Sequence, residues 1–304
     1  MRVMVLYNPV SGRGRACQSA GAIAEAFLQT QCDVELIPTQ ATAPEVWLIP
    51  ALTFEPEAVV VVGGDGTLRQ IASALVSSEI PIYHAPSGTE NLFATSMGMT
   101  ADPQLVVASV MQNSVISIDT ATANGSFMLL MASVGFDAAI VADLAKHRGE
   151  SITRMSYVMP FIRQSLRWDP PELTIHVDGE CIVRARHGWV IVANGSAYAC
   201  GSNPARNADI SDGELDVLFV PFRKRLMALR WLWRLANGTH IRHSDAVNAR
   251  GKEVIVRSTS DSPWQIDGDP VCDTAEMDIK CTPASLVVLQ QTVTIDDSTG
   301  NSVD

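Results

Sequence analysis

The sequence predicts an α/β N-terminal domain with a doubly wound parallel sheet, followed by a mainly antiparallel β C-terminal domain. Three observations predict it. Up to about residue 118, apolar runs of strand length alternate with segments of helical spacing. Three polar, Gly-containing loops each leave the C-terminal end of one of those strands, so they share the sheet edge where ligands sit. Beyond about Ser114 the strand-like runs crowd together, and Asn124-Gly125 and Asp178-Gly179 have the composition of hairpin turns. The expected division is 1–118, 119–293, and a polar tail over 294–304 that frays.

In chain order, Val3–Tyr7 is a first strand, and Asn8 to Arg15 is the first loop, leading into an Ala-rich helix over 16–28. Val34–Ile37 is a second strand, with Thr39 just past its end, and Pro44 starts a short helix. Ala58–Val62 is a β-branched run, the mark of a buried parallel strand. It breaks into Gly63-Gly64-Asp65-Gly66-Thr67, after which Leu68–Leu75 carries apolar residues at helical spacing. Ile80–His84 is a fourth strand. The third loop, Ala85 to Asn91, follows it and precedes a helix with Leu92, Phe93, Ala94 and Met97. In the second domain, strands are expected over 115–121, 127–133, 173–177, 181–186, 189–193, 215–220, 253–258, 264–266, 277–281 and 286–289. Two helical insertions fall near 139–166 and 224–236.

The glycine turn carries the clearest chemistry. Glycine lets a ligand approach the backbone, and free N–H groups at a helix start favour an anion, so the turn reads as a phosphate site. It lacks the Gly-Lys-Ser/Thr of a Walker loop and the spacing of a Rossmann fingerprint. Asp65 beside bound phosphates calls for a metal ion to offset the repulsion. Composition sets outer limits. A chain of 304 residues that is 47% hydrophobic supports a substantial core, and a net charge of −11 argues against a nucleic-acid binder. Six scattered cysteines without a Cys-x-x-Cys read as reduced thiols. The N-terminus reads as a strand rather than a signal peptide. The most apolar run, 127–136, is shorter than the ~20 residues that span a bilayer.

Seven ordered segments resemble the diacylglycerol kinase catalytic family, especially its soluble bacterial lipid kinases. They are Asn8-Pro9-x-Ser11-Gly12, Gly63-Gly64-Asp65-Gly66-Thr67, Pro86-Ser87-Gly88-Thr89-x-Asn91, Gly135-Phe136-Asp137-Ala138, Asn194-Gly195 through Gly201 with Pro204-Ala205, Ser211 to Val217, and Ile266-Asp267-Gly268-Asp269. Three positions differ from the family's usual pattern: Arg69-Gln70 stands for Asn-Glu, Glu90 for a small residue, and Asp269 for a glutamate. The resemblance implies ATP- and Mg²⁺-dependent phosphorylation of a lipid hydroxyl, most directly that of diacylglycerol, in a cleft between the domains. NAD kinase, which shares the Gly-Gly-Asp-Gly turn, and a catalytically silent nucleotide- or lipid-binding regulator are the competing readings.

Carried over residue by residue, the nucleotide contacts are Asn8, Ser11, Gly12, Thr39, Gly63, Gly64, Asp65, Gly66, Thr67, Leu68, Arg69, Thr89 and Asn91. Asn8, Ser11 and Asn91 serve equally as helix caps, and the two threonines as turn residues. The resemblance makes Asp269 the base that orients the attacking hydroxyl, with Asp65 and Asp119 as further catalytic candidates. Asp267-Gly268 is also a favoured pair for a plain hairpin. Asp212, with backbone carbonyls of Asp209 and Glu214, resembles a structural Mg²⁺ site; an acidic surface turn is the other account. His240 and His243, at i, i+3 spacing, read as surface residues rather than a zinc pair.

Residues 223–250 hold seven Lys/Arg and one acid, Asp245. On a helix Arg223, Arg230 and Arg234 form one stripe beside Leu226, Leu229 and Trp233, with Trp231 on its other side, which suits peripheral contact with an anionic membrane. Burial of Leu and Trp in domain two is the alternative. The expected setting is cytoplasmic, at or near the inner membrane face; a homodimer stays open.

Overall fold

The computed structural model describes residues 1–146, 154–198, 203–222, 230–231, 233–234, 237–239 and 243–291. Four strands, β1 (Arg2–Tyr7), β2 (Asp33–Pro38), β3 (Ala58–Gly63) and β4 (Ile82–Pro86), pair in parallel in the order β2-β1-β3-β4. β1 and β3 are central, and Val3–Leu6 and Ala58–Val62 are fully buried, which is why they read as unbroken apolar runs. Helices α1 (Arg15–Leu28), α2 (Pro44–Ala51) and α3 (Asp65–Leu75) connect the strands, and α4 (Leu92–Ser96) and α5 (Pro103–Gln112) follow them. α5 contacts α1, and α2 contacts α3. The apolar pattern does not announce α5, but its capping does. Asp102 accepts the N–H groups of Gln104 and Leu105, and Pro103 takes the first position.

The second half of the described chain is strand-rich: β5 (Val115–Ala123), β6 (Ser126–Met128), β7 (Met131–Val134), β8 (Glu172–Val177), β9 (Glu180–Ala193), β10 (Leu215–Pro221), β11 (Val247–Gly251), β12 (Glu253–Ile266) and β13 (Asp269–Leu289). These strands pair antiparallel with one another. The insertion expected over 139–166 contains α6 (Phe136–Lys146) and α7 (Val158–Arg167). The insertion near 224–236, with Arg223, falls largely outside the described residues, as do His240 and the tail over 294–304.

The strands are longer and fewer than local composition suggests. The expected pairs 181–186 with 189–193, 253–258 with 264–266, and 277–281 with 286–289 each lie within one bent strand. Register shifts interrupt the pairing instead of ending it, as at Thr282/Leu286, beside Ala284 with φ 49°. The single strand expected over 127–133 is instead β6 and β7, separated by Leu129-Leu130. Asn124-Gly125, Asp178-Gly179 and Asp267-Gly268 all have two successive positive φ values, the type I′ hairpin geometry.

β5 and β13 tie the halves together. Ile118, Leu286, Val288 and Leu289 lie in the core under the parallel sheet, while Ala121, Ala123, Met277 and Ile279 lie in the core of the antiparallel part. Val288 pairs in parallel with Ile82, so the last strand returns to the first sheet. A third cluster joins Phe136, Trp168, Trp189, Phe222 and Trp231.

Candidate active site

Three loops meet at the C-terminal edge of the parallel strands. The first meets the glycine turn where the Asn8 amide donates to Thr67 Oγ1 at 2.9 Å. It meets the third where Ser11 Oγ donates to Ser87 O at 3.2 Å. Ser87 N–H donates to Gly63 O at 2.8 Å, which closes the triangle. Glycine is needed here for closeness: a Cβ on Gly88 would stand 2.6 Å from Gly64 Cα. Gly12 combines φ 58° with a Cβ position 2.5 Å from Ser87 O, so both conformation and space favour glycine there. Thr39 joins through its N–H, which donates to Tyr7 O at 2.8 Å.

α3 begins at Asp65, and its first internal bonds run from Thr67 and Leu68 N–H to Gly64 O. Gly66, ahead of them, is exposed. Asp65 accepts the N–H groups of Leu92 and Phe93 at 2.9 and 3.1 Å, so it caps α4 from a distance. Asn91, expected as a contact or a cap, takes positive φ, makes no side-chain cap and bonds back to Gly88 through Oδ1 and Nδ2. Thr89 is exposed in the same loop. Beneath the turn, His84 Nε2 lies 3.1 Å from Gly63 O, and burial pushes its imidazole below the ordinary value, so the ring is held neutral.

The hairpin between β12 and β13 faces this cluster. Asp267 sits at its tip with its side chain covered, and accepts three backbone N–H groups, from Leu129, Leu130 and Met131, at 2.8 to 2.9 Å. That clamp aims Asp269, which is 52% exposed and ion-paired to Arg69 at 3.0 Å. Sequence reasoning names Asp267 only as part of a turn; its signal is an Asp-Gly pair at positive φ with an acid that finds distant donors. Asp137 lies nearby, accepting from Ser133 Oγ at 2.5 Å and Tyr198 Oη at 2.6 Å. Burial pushes its carboxyl above the ordinary range against the pull of those donors.

The other predicted acids are occupied. Asp119 is buried, and its oxygens accept Gly213 N–H at 2.6 Å and Ala284 N–H at 2.7 Å. It pins the acidic loop to the irregular stretch of β13. In that loop Asp209 accepts from Ser211 N–H and Oγ, and Asp212 accepts from Glu214 N–H. Arg250 pairs with Asp212, Glu214 and Asp216, so a guanidinium sits among the carboxylates. Among the described residues no group of three or more His, Cys, Asp or Glu side chains is arranged to hold a metal ion. At Asp212 and Glu214 the neighbouring cation is the chain's own Arg250. His243 packs against Trp231, with ring centroids 4.8 Å apart.

Comparisons with known proteins bear on the same residues. The family model of the diacylglycerol kinase catalytic domain matches residues 2–123. That of the YegS C-terminal NAD kinase beta sandwich-like domain matches residues 131–290. A diacylglycerol kinase of Mycobacterium tuberculosis is 29% identical over 296 residues, covering 95% of each chain. A probable lipid kinase YegS-like of Pseudomonas aeruginosa is 26% identical over 218 residues, 69% of this chain and 68% of that protein. The crystal structure of a diacylglycerol kinase from Bacillus anthracis str. Sterne superposes with a TM-score of 0.69 at 18% identity, covering 95% of this chain and 97% of that one, a likeness of fold.

Proposed function

Since the chain belongs to the family that joins a diacylglycerol kinase catalytic domain to a YegS C-terminal domain, we propose that it is an ATP-dependent lipid kinase. Its acceptor is a lipid alcohol, most directly diacylglycerol. The strand order β2-β1-β3-β4, with α1 beside α5 and α2 beside α3, supports a doubly wound sheet that carries the nucleotide at its loop edge. The observation that carries the reading is the Arg69–Asp269 pair, which brings a half-exposed carboxylate to the helix that begins at the phosphate turn.

In this reading ATP enters as its magnesium complex, that ion being part of the substrate. The N–H groups around Gly63 to Thr67 hold the phosphates. Asp269 orients the lipid hydroxyl and takes its proton. The hydroxyl oxygen forms a bond to the γ-phosphorus as the bond to the bridging oxygen of ADP breaks. No step passes through a metal at 209–214.

A lipid acceptor has support on the surface. Met155, Met159, Ile162 and Leu166 recur at helical spacing on and just before α7, and all are exposed, as is Trp233. Trp231, by contrast, is buried, which favours packing over membrane contact for that part of the basic segment. No helix among the described residues is long and apolar enough to cross a membrane.

The test is labelled ATP offered in parallel with diacylglycerol micelles, sphingosine and NAD. Label in the diacylglycerol product is expected. Label in NAD would favour the dinucleotide reading, and no transfer to any acceptor would favour a silent regulator.

A further inference from the structure

We propose that Arg69 is the positioning residue for Asp269, so that the phosphate turn and the acid that receives the proton are held as one unit. The inference rests on the kinase reading above and gives the Arg69 side chain a part which that reading leaves open. Arg69 lies one helical turn after Asp65 on α3. Its Nη1 donates to Ile266 O and to Asp269 Oδ2, each at 3.0 Å. Its Nε stands 3.9 Å from Asp267 Oδ2. One guanidinium thus touches the last residue of β12, the tip of the hairpin and the first residue of β13.

The geometry favours positioning over mere attraction. A nitrogen that bonds a main-chain carbonyl and a carboxylate of the same hairpin sets the carboxylate's direction relative to the backbone. The backbone is itself held, because Asp267 is anchored to Leu129, Leu130 and Met131 and Gly268 N–H donates to Gln265 Oε1 at 2.7 Å. The pair joins residues 200 apart in sequence, one from each half of the chain. The arginine is 23% exposed and the acid 52%, so the acid stays open to a reactant while its partner is largely covered. Half-exposed ion pairs contribute little to stability, so this pair's effect belongs in rate. A lysine could not replace it fully, since an ammonium lacks the planar fork that reaches several acceptors at once.

The experiment measures kcat and KM for ATP, with diacylglycerol micelles, in the wild type, Arg69→Gln, Asp269→Asn and the double variant. Arg69→Gln is expected to lower kcat about tenfold to a hundredfold, the scale of a misplaced catalytic group, with KM for ATP within about twofold. In the Asp269→Asn background the same change is expected to cost less than about threefold, because the two residues act through one another. Arg69→Lys is expected to fall between Gln and wild type, and it carries the same cycle should Arg69→Gln not fold. Thermal unfolding checks each variant. The proposal is overturned if Arg69→Gln leaves kcat unchanged, raises only KM for ATP as a phosphate ligand would, or lowers kcat equally in both backgrounds. Wild-type turnover by Asp269→Asn would instead overturn the assignment of the base, and this proposal with it. An inactive Asp269→Asn beside a fully active Arg69→Gln would leave that assignment standing and sink only the proposal.

Discussion

The glycine turn and the acidic hairpin hold their functional groups in different ways. At the turn, the groups are consecutive, and the fold only has to bring three short loops together. Their contacts are between small residues: Gly64 on Gly88, Gly12 on Ser87, Asn8 on Thr67. In the antiparallel half two acids, Asp119 and Asp267, take their places from distant donors. Asp119 is held by Gly213 and Ala284, and Asp267 by Leu129 to Met131. The first kind of site is coded by backbone shape and the second by hydrogen bonds across strands. Damage should therefore differ: added bulk breaks the turn, and removed acceptors break the hairpin side.

The largest expected effect is on rate. Asp269→Asn should lower kcat by ~10²–10⁴, the range of a lost general base, with ATP affinity nearly unchanged. Asp269→Glu should keep much of the activity. Steady-state kinetics with a nucleotide-binding titration checks both, and unchanged turnover in Asp269→Asn would remove the hairpin from the chemistry.

Next comes Asp119→Ala. It strands the part-buried N–H groups of Gly213 and Ala284, so a loss of about 2–4 kcal/mol in unfolding free energy is expected, from the lower part of the ~1–3 kcal/mol per orphaned donor. Urea unfolding measures it. A loss of activity with full stability would show that Asp119 acts in catalysis rather than as a clamp.

Gly88→Ala tests the other mode. Its Cβ would stand 2.6 Å from Gly64 Cα, so a cost of about 1–3 kcal/mol is expected, with weakened ATP binding. Intact ATP binding in the folded variant would separate the loop packing from the nucleotide site. Asp65→Asn should cost less, about 1 kcal/mol, since the amide oxygen still accepts one of the Leu92 and Phe93 N–H groups. Turnover should fall far more than that stability loss explains.

The smallest expected effect is a pH dependence. Burial raises the Asp137 carboxyl above its ordinary value, so the folded state binds that proton more tightly than the unfolded chain. The stabilisation is fully present below the ordinary carboxylate value and is lost as pH rises through the raised one. Relative to Asp137→Asn, whose side chain does not titrate, wild type should therefore lose stability as pH rises above the ordinary carboxylate value. Melting temperatures across that range decide it, and parallel curves would refute the shift.

The sequence by itself determined the strand–helix alternation of the first half, the strand-rich second half and the composition of the three loops. Those features are written in neighbouring residues: β-branched runs, helical spacing, glycine beside polar side chains. Asp267-Gly268 was legible as a turn for the same reason. What only the tertiary structure decided is which side chains meet. Whether Asp65 caps α4, whether Arg250 enters the acidic loop and whether Arg69 reaches Asp269 depend on strand register and helix placement across long separations. The length of β9, β12 and β13 was likewise undecided locally, because bulges carry a strand through residues that would end it alone. Local chemistry selects backbone shape, whereas the pairing of charges follows from the packing of the whole chain.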